Sequence, residues 1–274
     1  MTTTLRPTGP LQSAADGARS RPYQVCVNSR PVGVLELATH PAFGPAVGQI
    51  RALRIDEPDR RRGRGTVAAL AAEEILRGWR CTRVEATIPA AAGPALQLAT
   101  VLGYGERNRT MSKALPERAP ALPEGSVGRP MSEAEYGPWL AHAKEHYARE
   151  WIARGVAERE AYAKSETDHA TNLPDGIRTA GVRMRVLEHQ GTAVGTLWLA
   201  LRDDGAYVFD VEVAEEYRGR GYGRSLLRLA EREALAAGAR RIGLNVFTNN
   251  TPAMRLYASL GYQPTAYHLS KPLL

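Results

Sequence analysis

The residues best equipped for chemistry cluster around the stretch VEVAEEYRGRGYGRSLLRLAEREALAAG, Val211 to Gly238. Strand alternation through Asp210–Val213 puts the carboxylates of Asp210 and Glu212 on one face and Val211 and Val213 on the other. Glycines then stand at 219, 221 and 223, interleaved with Arg220 and Tyr222 and flanked by Arg218 and Arg224. Backbone N–H groups at a helix N-terminus make an anion site, and glycine lets the backbone approach a bulky phosphate or adopt positive φ. Three phosphate-loop patterns compete. The Walker pattern fails because no Gly-Lys-Ser/Thr follows. The Rossmann pattern needs a third glycine where Arg224 sits and belongs at the start of its domain. Arg/Gln-x-x-Gly-x-Gly/Ala fits, on Arg218, Gly221 and Gly223.

Other candidates are weaker. His142 and His146 lie i,i+4, as a zinc pair would, but no third ligand follows and a solvated helix face explains them better, so no metal is expected. Cys26 and Cys81 form no CxxC, which argues against a disulfide framework or structural zinc and suits a reducing cytoplasm. The net charge is +7. All of the excess lies in the first 130 residues, partly in DRRRGRG, while the remainder is balanced. Those arginines are clumped rather than interleaved with aromatics, which disfavours nucleic acid as a partner. No apolar run approaches the roughly 20 residues that span a bilayer, and the first 22 residues lack the apolar core of a secretory signal.

The elements that position the loop are written twice. VGVLEL (32–37) echoes VGTLWL (194–199), RGRGTVAALAAEEILRGW (62–79) echoes RGRGYGRSLLRLAEREALAAG (218–238), AGPALQLATVLGY (92–104) echoes NTPAMRLYASLGY (250–262), and TMSKAL echoes HLSKPL. The spacing from Gly65 to Gly103 is close to that from Gly221 to Gly261. Residues 1–22 read as a flexible N-terminus, 23–115 as a shortened first copy, 116–130 as a Pro/Gly-rich linker and 131–274 as a complete second copy. In the second copy, Ser132 and Glu135 form a capping box ahead of one or two helices broken near Gly155 and Pro174. Hairpin strands at 183–188 and 194–201, a strand at 207–213, a helix with Leu226, Leu227, Ala230 and Ala234 on one face, and a strand on Ile242, Leu244 and Val246 follow. The expected fold is α+β, each copy a mixed, mostly antiparallel twisted sheet flanked by helices.

Residues 183–272 resemble the acetyl-CoA-binding core of the GCN5-related N-acetyltransferase superfamily. The likeness is carried by YVFDVEV, the loop RGRGYG and NTPAMRLYASLGY, which is similar to the family's N-x-x-A-x-x-L-Y-x-x-x-G-F/Y. The tandem layout resembles mycothiol synthase-like tandem acetyltransferases. The resemblance implies acetyl-CoA as cosubstrate. Amides from Arg220 to Gly223 would take its pyrophosphate, with Arg218 and Arg224 nearby, and Val211–Val213 and Asn250 would lie along the pantetheine. Tyr257 would protonate the leaving thiolate. A carboxylate, Glu212 first and Asp210 second, would accept the amine proton. Glu166, Asp168 and His169 of SETDH, and Trp198, are expected to contact the acceptor. That acceptor is expected to be a small-molecule primary amine; a protein N-terminus or lysine, or a CoA sensor without turnover, are the alternatives. In the first copy, aligning Gly65 with Gly221 puts Val67 in place of the last loop glycine, the AGPALQLATVLGY echo puts Ala92 in place of Asn250 and Ala99 in place of Tyr257, and IRALRI offers no carboxylate. A non-catalytic first copy is therefore expected, and two copies in one chain favour a monomer.

Overall fold

The structure is a computed structural model that describes residues 2–203 and 205–273; the outer limits of the expected segments, Met1 and Leu274, lie outside the described residues, as does Asp204. In chain order the elements are β1 (Thr3–Pro7), β2 (Gln12–Ser13), β3 (Arg19–Val27), β4 (Arg30–His40), β5 (Gly44–Ile55), α1 (Arg64–Gly78), β6 (Arg83–Pro89), α2 (Gly93–Val101), β7 (Gly105–Ala114), β8 (Ser126–Pro130), α3 (Glu133–Ile152), α4 (Glu158–Asn172), β9 (Val182–His189), β10 (Thr192–Arg202), β11 (Gly205–Val213), α5 (Tyr222–Ala236), β12 (Arg241–Phe247), α6 (Thr251–Ser259) and β13 (Gln263–Pro272). The fold is α+β with two copies of one unit, as the repeats predict.

The units are not cut where the repeats end. One comprises the chain up to Arg109 together with the segment from Thr265 onward; the other is Thr110–Pro264. Strand order is β1-β3-β4-β5-β6-β13 in the first unit and β7-β12-β11-β10-β9-β8 in the second. Each repeat's last strand thus completes the other repeat's sheet. The exchange carries a matched set of side chains. Lys271 on β13 bonds the buried Glu73 of α1 at 2.7 Å, and Lys113 on β7 bonds the buried Glu231 of α5 at 2.8 Å. The two ammonium groups lie 5.6 Å over Tyr104 and 5.8 Å over Tyr262. Residue numbers in the two sets differ by a constant 158, so either strand meets the partners its sequence specifies. Replacing Lys271 with alanine would leave the Glu73 carboxylate buried and unpaired, and is expected to lower stability by about 3 kcal/mol; denaturant unfolding checks this.

Two expectations at the chain's connections are corrected. The N-terminus is strand rather than flexible: Thr3–Pro7 runs antiparallel to Tyr23–Val27. Its residues are mostly polar and exposed, so the main-chain ladder, with Leu5 alone packed on the first core, holds it there and no periodicity announced it. The linker's end is β8, which pairs Ser126–Pro130 with Arg185–His189. Prolines are tolerated on such an edge strand.

In the second unit, α5 lays Leu226, Leu227, Ala230 and Ala234 against Leu197, Leu199, Val208, Ile242 and Leu244, burying the stripe expected from its 3.6-residue period. On the sheet's other face α3 and α4 cover Met184, Val186 and Trp198. The Ser132–Glu135 capping box starts α3. Arg129 on β8 clamps that end to the sheet by bonding Glu135 at 2.7 Å and Glu188 at 2.6 Å.

Candidate active site

The site begins with a bulge. Along the β10–β11 ladder Trp198 opposes Asp210 but Leu199 opposes Val208, so Phe209 is the extra residue. A bulge turns consecutive side chains toward one face. Phe209 accordingly stacks on Trp198, with centroids 4.6 Å apart, on the face that carries Asp210 and Glu212. The parallel ladder between β11 and β12 runs only from Ala206–Val208 to Ile242–Leu244. Beyond the bulge, Ala214 N–H bonds Val194 on β10, so by alternation the main chains of Val211 and Val213 point toward the side β12 has left. On that side Val211 and Val213 have no partner strand among the described residues.

Immediately after it, Gly219 and Gly221 take φ of +77° and +87°, and Gly221 is the N-cap of α5. A Cβ built on Gly221 meets nothing within 4 Å. The N–H groups of Tyr222 and Gly223 open the helix and have no partner within it. Helix dipole, bare amides and open space over Gly221 together fit a pyrophosphate. The flanking side chains are partly committed. Arg218 Nε donates to the Val213 carbonyl at 3.2 Å, Arg224 bonds Ser259 Oγ at 2.7 Å, and Arg220 lies 5.6 Å over Tyr217. Asn250 caps α6, its Oδ1 accepting from Ala253 N–H at 3.1 Å.

Asp210 and Glu212 line one cavity of about 130 Å³ between the sheet and helices α3 and α4, but they are not equivalent. Glu212 is held by His142 Nε2 at 3.0 Å, with Arg218 at 3.8 Å. Burial, then the nearby Glu212 charge, pushes the Asp210 carboxyl up to about 6, against the opposing pull of His146, Trp139 and His142. Tyr257, buried on α6, is pushed up to about 12 by burial and by the Asp210 charge. The two groups therefore feel each other: a carboxyl that titrates near neutrality and a phenol that keeps its proton.

Of the expected acceptor residues, His169 and Trp198 line the cavity and Glu166 does not. Glu166 points outward and bonds Lys144 at 2.6 Å. On α4, residues 165, 168, 169 and 172 recur at helical spacing and face inward, whereas 166 is a third of a turn away. Asp168, the other acidic residue of SETDH, lines the cavity as His169 does. His142 and His146 were expected on a solvated face, and both are exposed; that face also borders the carboxylates, His142 bonding Glu212 and His146 lining the cavity. No group of three or more metal-ligating side chains occurs among the described residues.

The sequence profile of the acetyltransferase (GNAT) family matches residues 4–104 and 140–262. The chain belongs to that family. It is 30% identical over 150 residues to the uncharacterised N-acetyltransferase YycN of Bacillus subtilis, covering 53% of this chain and 96% of YycN. A GCN5-related N-acetyltransferase from Sphaerobacter thermophilus shares the fold at TM-score 0.61 and 19% identity, over 92% of this chain and 80% of its own. A tandem GNAT protein from the clavulanic acid biosynthesis pathway does so at TM-score 0.52 and 19% identity, over 96% and 85%.

The first GNAT copy corrects the sequence alignment. Its bulge falls at Arg51 and its αL N-cap is Gly63, φ +73°, each 158 residues before Phe209 and Gly221. Arg60 Nε bonds the Ile55 carbonyl as Arg218 bonds Val213. The loop motif is therefore Arg60, Gly63, Gly65, and it is complete; Val67 lies inside α1 and replaces no loop glycine. Arg62 and Arg220, not Arg62 and Arg218, are equivalent. The chemistry-bearing positions still differ: Ala52 and Arg54 match Asp210 and Glu212, and Ala99 matches Tyr257.

Proposed function

We propose that the second copy moves acetyl from acetyl-CoA to a primary amine on a small molecule, by direct attack in a ternary complex, while the first copy does no chemistry. The observation that carries this is the pairing of Asp210, held near neutrality, with Tyr257, held protonated, beside an unpaired strand end and an open glycine loop. Amides of the Gly221 loop would hold the pyrophosphate and the main chain of Val211 and Val213 the pantetheine. Asp210 takes a proton from the acceptor's amino group, directly or through water, so that the neutral amine attacks the thioester carbonyl, and Tyr257 gives its phenolic proton to the departing thiolate. Preference for Asp210 over Glu212 reverses the order expected from the sequence: Glu212 already pairs with His142 and serves better to fix α3 and to raise Asp210. With its loop intact, the first copy lacks chemistry for want of a base and an acid rather than for want of room at the phosphates.

The reading is tested by thiol release from acetyl-CoA across a panel of amines; cofactor binding with no release for any amine would end it. Tyr257→Phe should lower kcat by about tenfold or more with unchanged acetyl-CoA affinity, as removal of a group acting only in the transition state does. Unchanged kcat would take Tyr257 out of the mechanism.

A further inference from the structure

We infer that the acceptor is a small arylalkyl monoamine with a neutral polar group at its far end and no carboxylate, an assignment that rests on the transferase reading above. The cavity's size comes first. At about 130 Å³ it lies well below the roughly 300–1,000 Å³ of sites for drug-sized ligands. Bulky polycyclic or oligosaccharide amines do not fit inside it.

Its walls are aromatic. Trp198 and Phe209 stack into one surface, His169 lies 5.5 Å from Trp198, and Tyr147 lies 5.9 Å from His169. Such a wall favours a flat ring, and its π-faces also attract an ammonium. Its carboxylates outnumber its cationic groups: Asp210 and Glu212 come from the sheet and Asp168 from α4, His146 comes from α3, and no lysine or arginine lines the cavity. Burial holds His169 below its ordinary range, with its Nδ1–H donated to the Ser165 carbonyl at 2.8 Å, so it adds no strong positive charge at neutral pH. An acceptor carrying a carboxylate next to its amine, such as a free amino acid, would bring that charge toward Asp210 and Glu212, with no lysine or arginine in the lining to receive it.

The α4 side separates a monoamine from a diamine. Asp168 Oδ2 already receives Lys164 Nζ at 2.7 Å and the Tyr147 hydroxyl at 2.8 Å. Its charge is answered from within the protein, so a second ammonium there gains little. What remains on that side is hydrogen-bonding capacity: the Asp168 Oδ1 and the part of the Asn172 amide not used by its Nδ2 bond to the Asp168 carbonyl at 2.7 Å. A hydroxyl, donor and acceptor at once, satisfies such a set.

The test compares tyramine, phenethylamine, putrescine and tyrosine as acceptors for the full-length protein with acetyl-CoA, read as thiol release. Expected kcat/KM is highest for tyramine, exceeding putrescine and tyrosine by at least about tenfold, the scale on which a mismatched polar or charged group is rejected. Preference for putrescine or tyrosine, or no turnover of either arylalkylamine, overturns the inference; turnover of any other amine in that case leaves the transferase reading standing. Phe209→Leu should raise KM for tyramine about fivefold or more without moving KM for acetyl-CoA. Asp168→Asn should narrow the tyramine preference over phenethylamine toward parity, and a preference unchanged by it would remove Asp168 from acceptor recognition.

Discussion

Replacing Asp210 with asparagine is expected to lower kcat/KM at pH 7 by roughly a hundredfold or more, the range general-base groups contribute. Asparagine keeps the size of the side chain and removes the lone proton acceptor. A carboxylate base works only when ionised, and burial together with Glu212 raises Asp210 from 3.8 to about 6. Activity should therefore climb with pH through about 6 and level off above it, while the variant loses that limb. The effect on folding has the opposite sign. A carboxyl whose folded value lies above its unfolded value favours the native state most when protonated. It gives up that stability as pH rises from about 4 to about 6. Asp210→Asn should thus be no less stable than wild type at pH 7, and lost activity cannot be blamed on unfolding. Glu212→Gln is the comparison. Removing its charge lets Asp210 ionise more easily, so the limb should move to lower pH with a smaller loss of rate. If Glu212→Gln instead abolishes the limb, the base is Glu212.

The sequence carried the fold wherever periodicity and special backbone coincide. The stripe of α5, the capping box of α3 and the Gly221 loop each have a local cause, and each stands where expected. The strand exchange has none: TMSKAL and HLSKPL are so alike that either could complete either sheet, and only tertiary pairing chooses. The bulge is likewise silent in sequence, since nothing in YVFDV says which residue is extra. Yet it decides the site, because it brings Phe209 onto the face of Asp210 and ends the ladder to β12. The misplacement of Glu166 had a readable remedy in helical spacing. The misaligned first loop had one too: Gly63 to Gly103 equals Gly221 to Gly261, a tighter match than Gly65 allows.

That corrected alignment yields a paired experiment at the two loop glycines. Gly221→Val should abolish acetyl-CoA binding and turnover, whereas Gly63→Val should leave thiol release at the wild-type rate. Both glycines are N-caps in the left-handed region, at φ +87° and +73°, and neither has an atom within 4 Å of a built Cβ. Either valine thus meets no internal clash and costs the fold about the same, on the order of 1–3 kcal/mol for strained backbone. Equal penalties isolate function from stability, since thermal unfolding should shift alike in the two variants. What differs is the neighbourhood: the space over Gly221 adjoins a strand end that leads to Asp210 and Tyr257, and the space over Gly63 adjoins alanines. Normal acetyl-CoA affinity by calorimetry in Gly221→Val would refute the loop assignment. Loss of turnover in Gly63→Val while the protein stays folded under assay conditions would mean that the first copy takes part in the reaction.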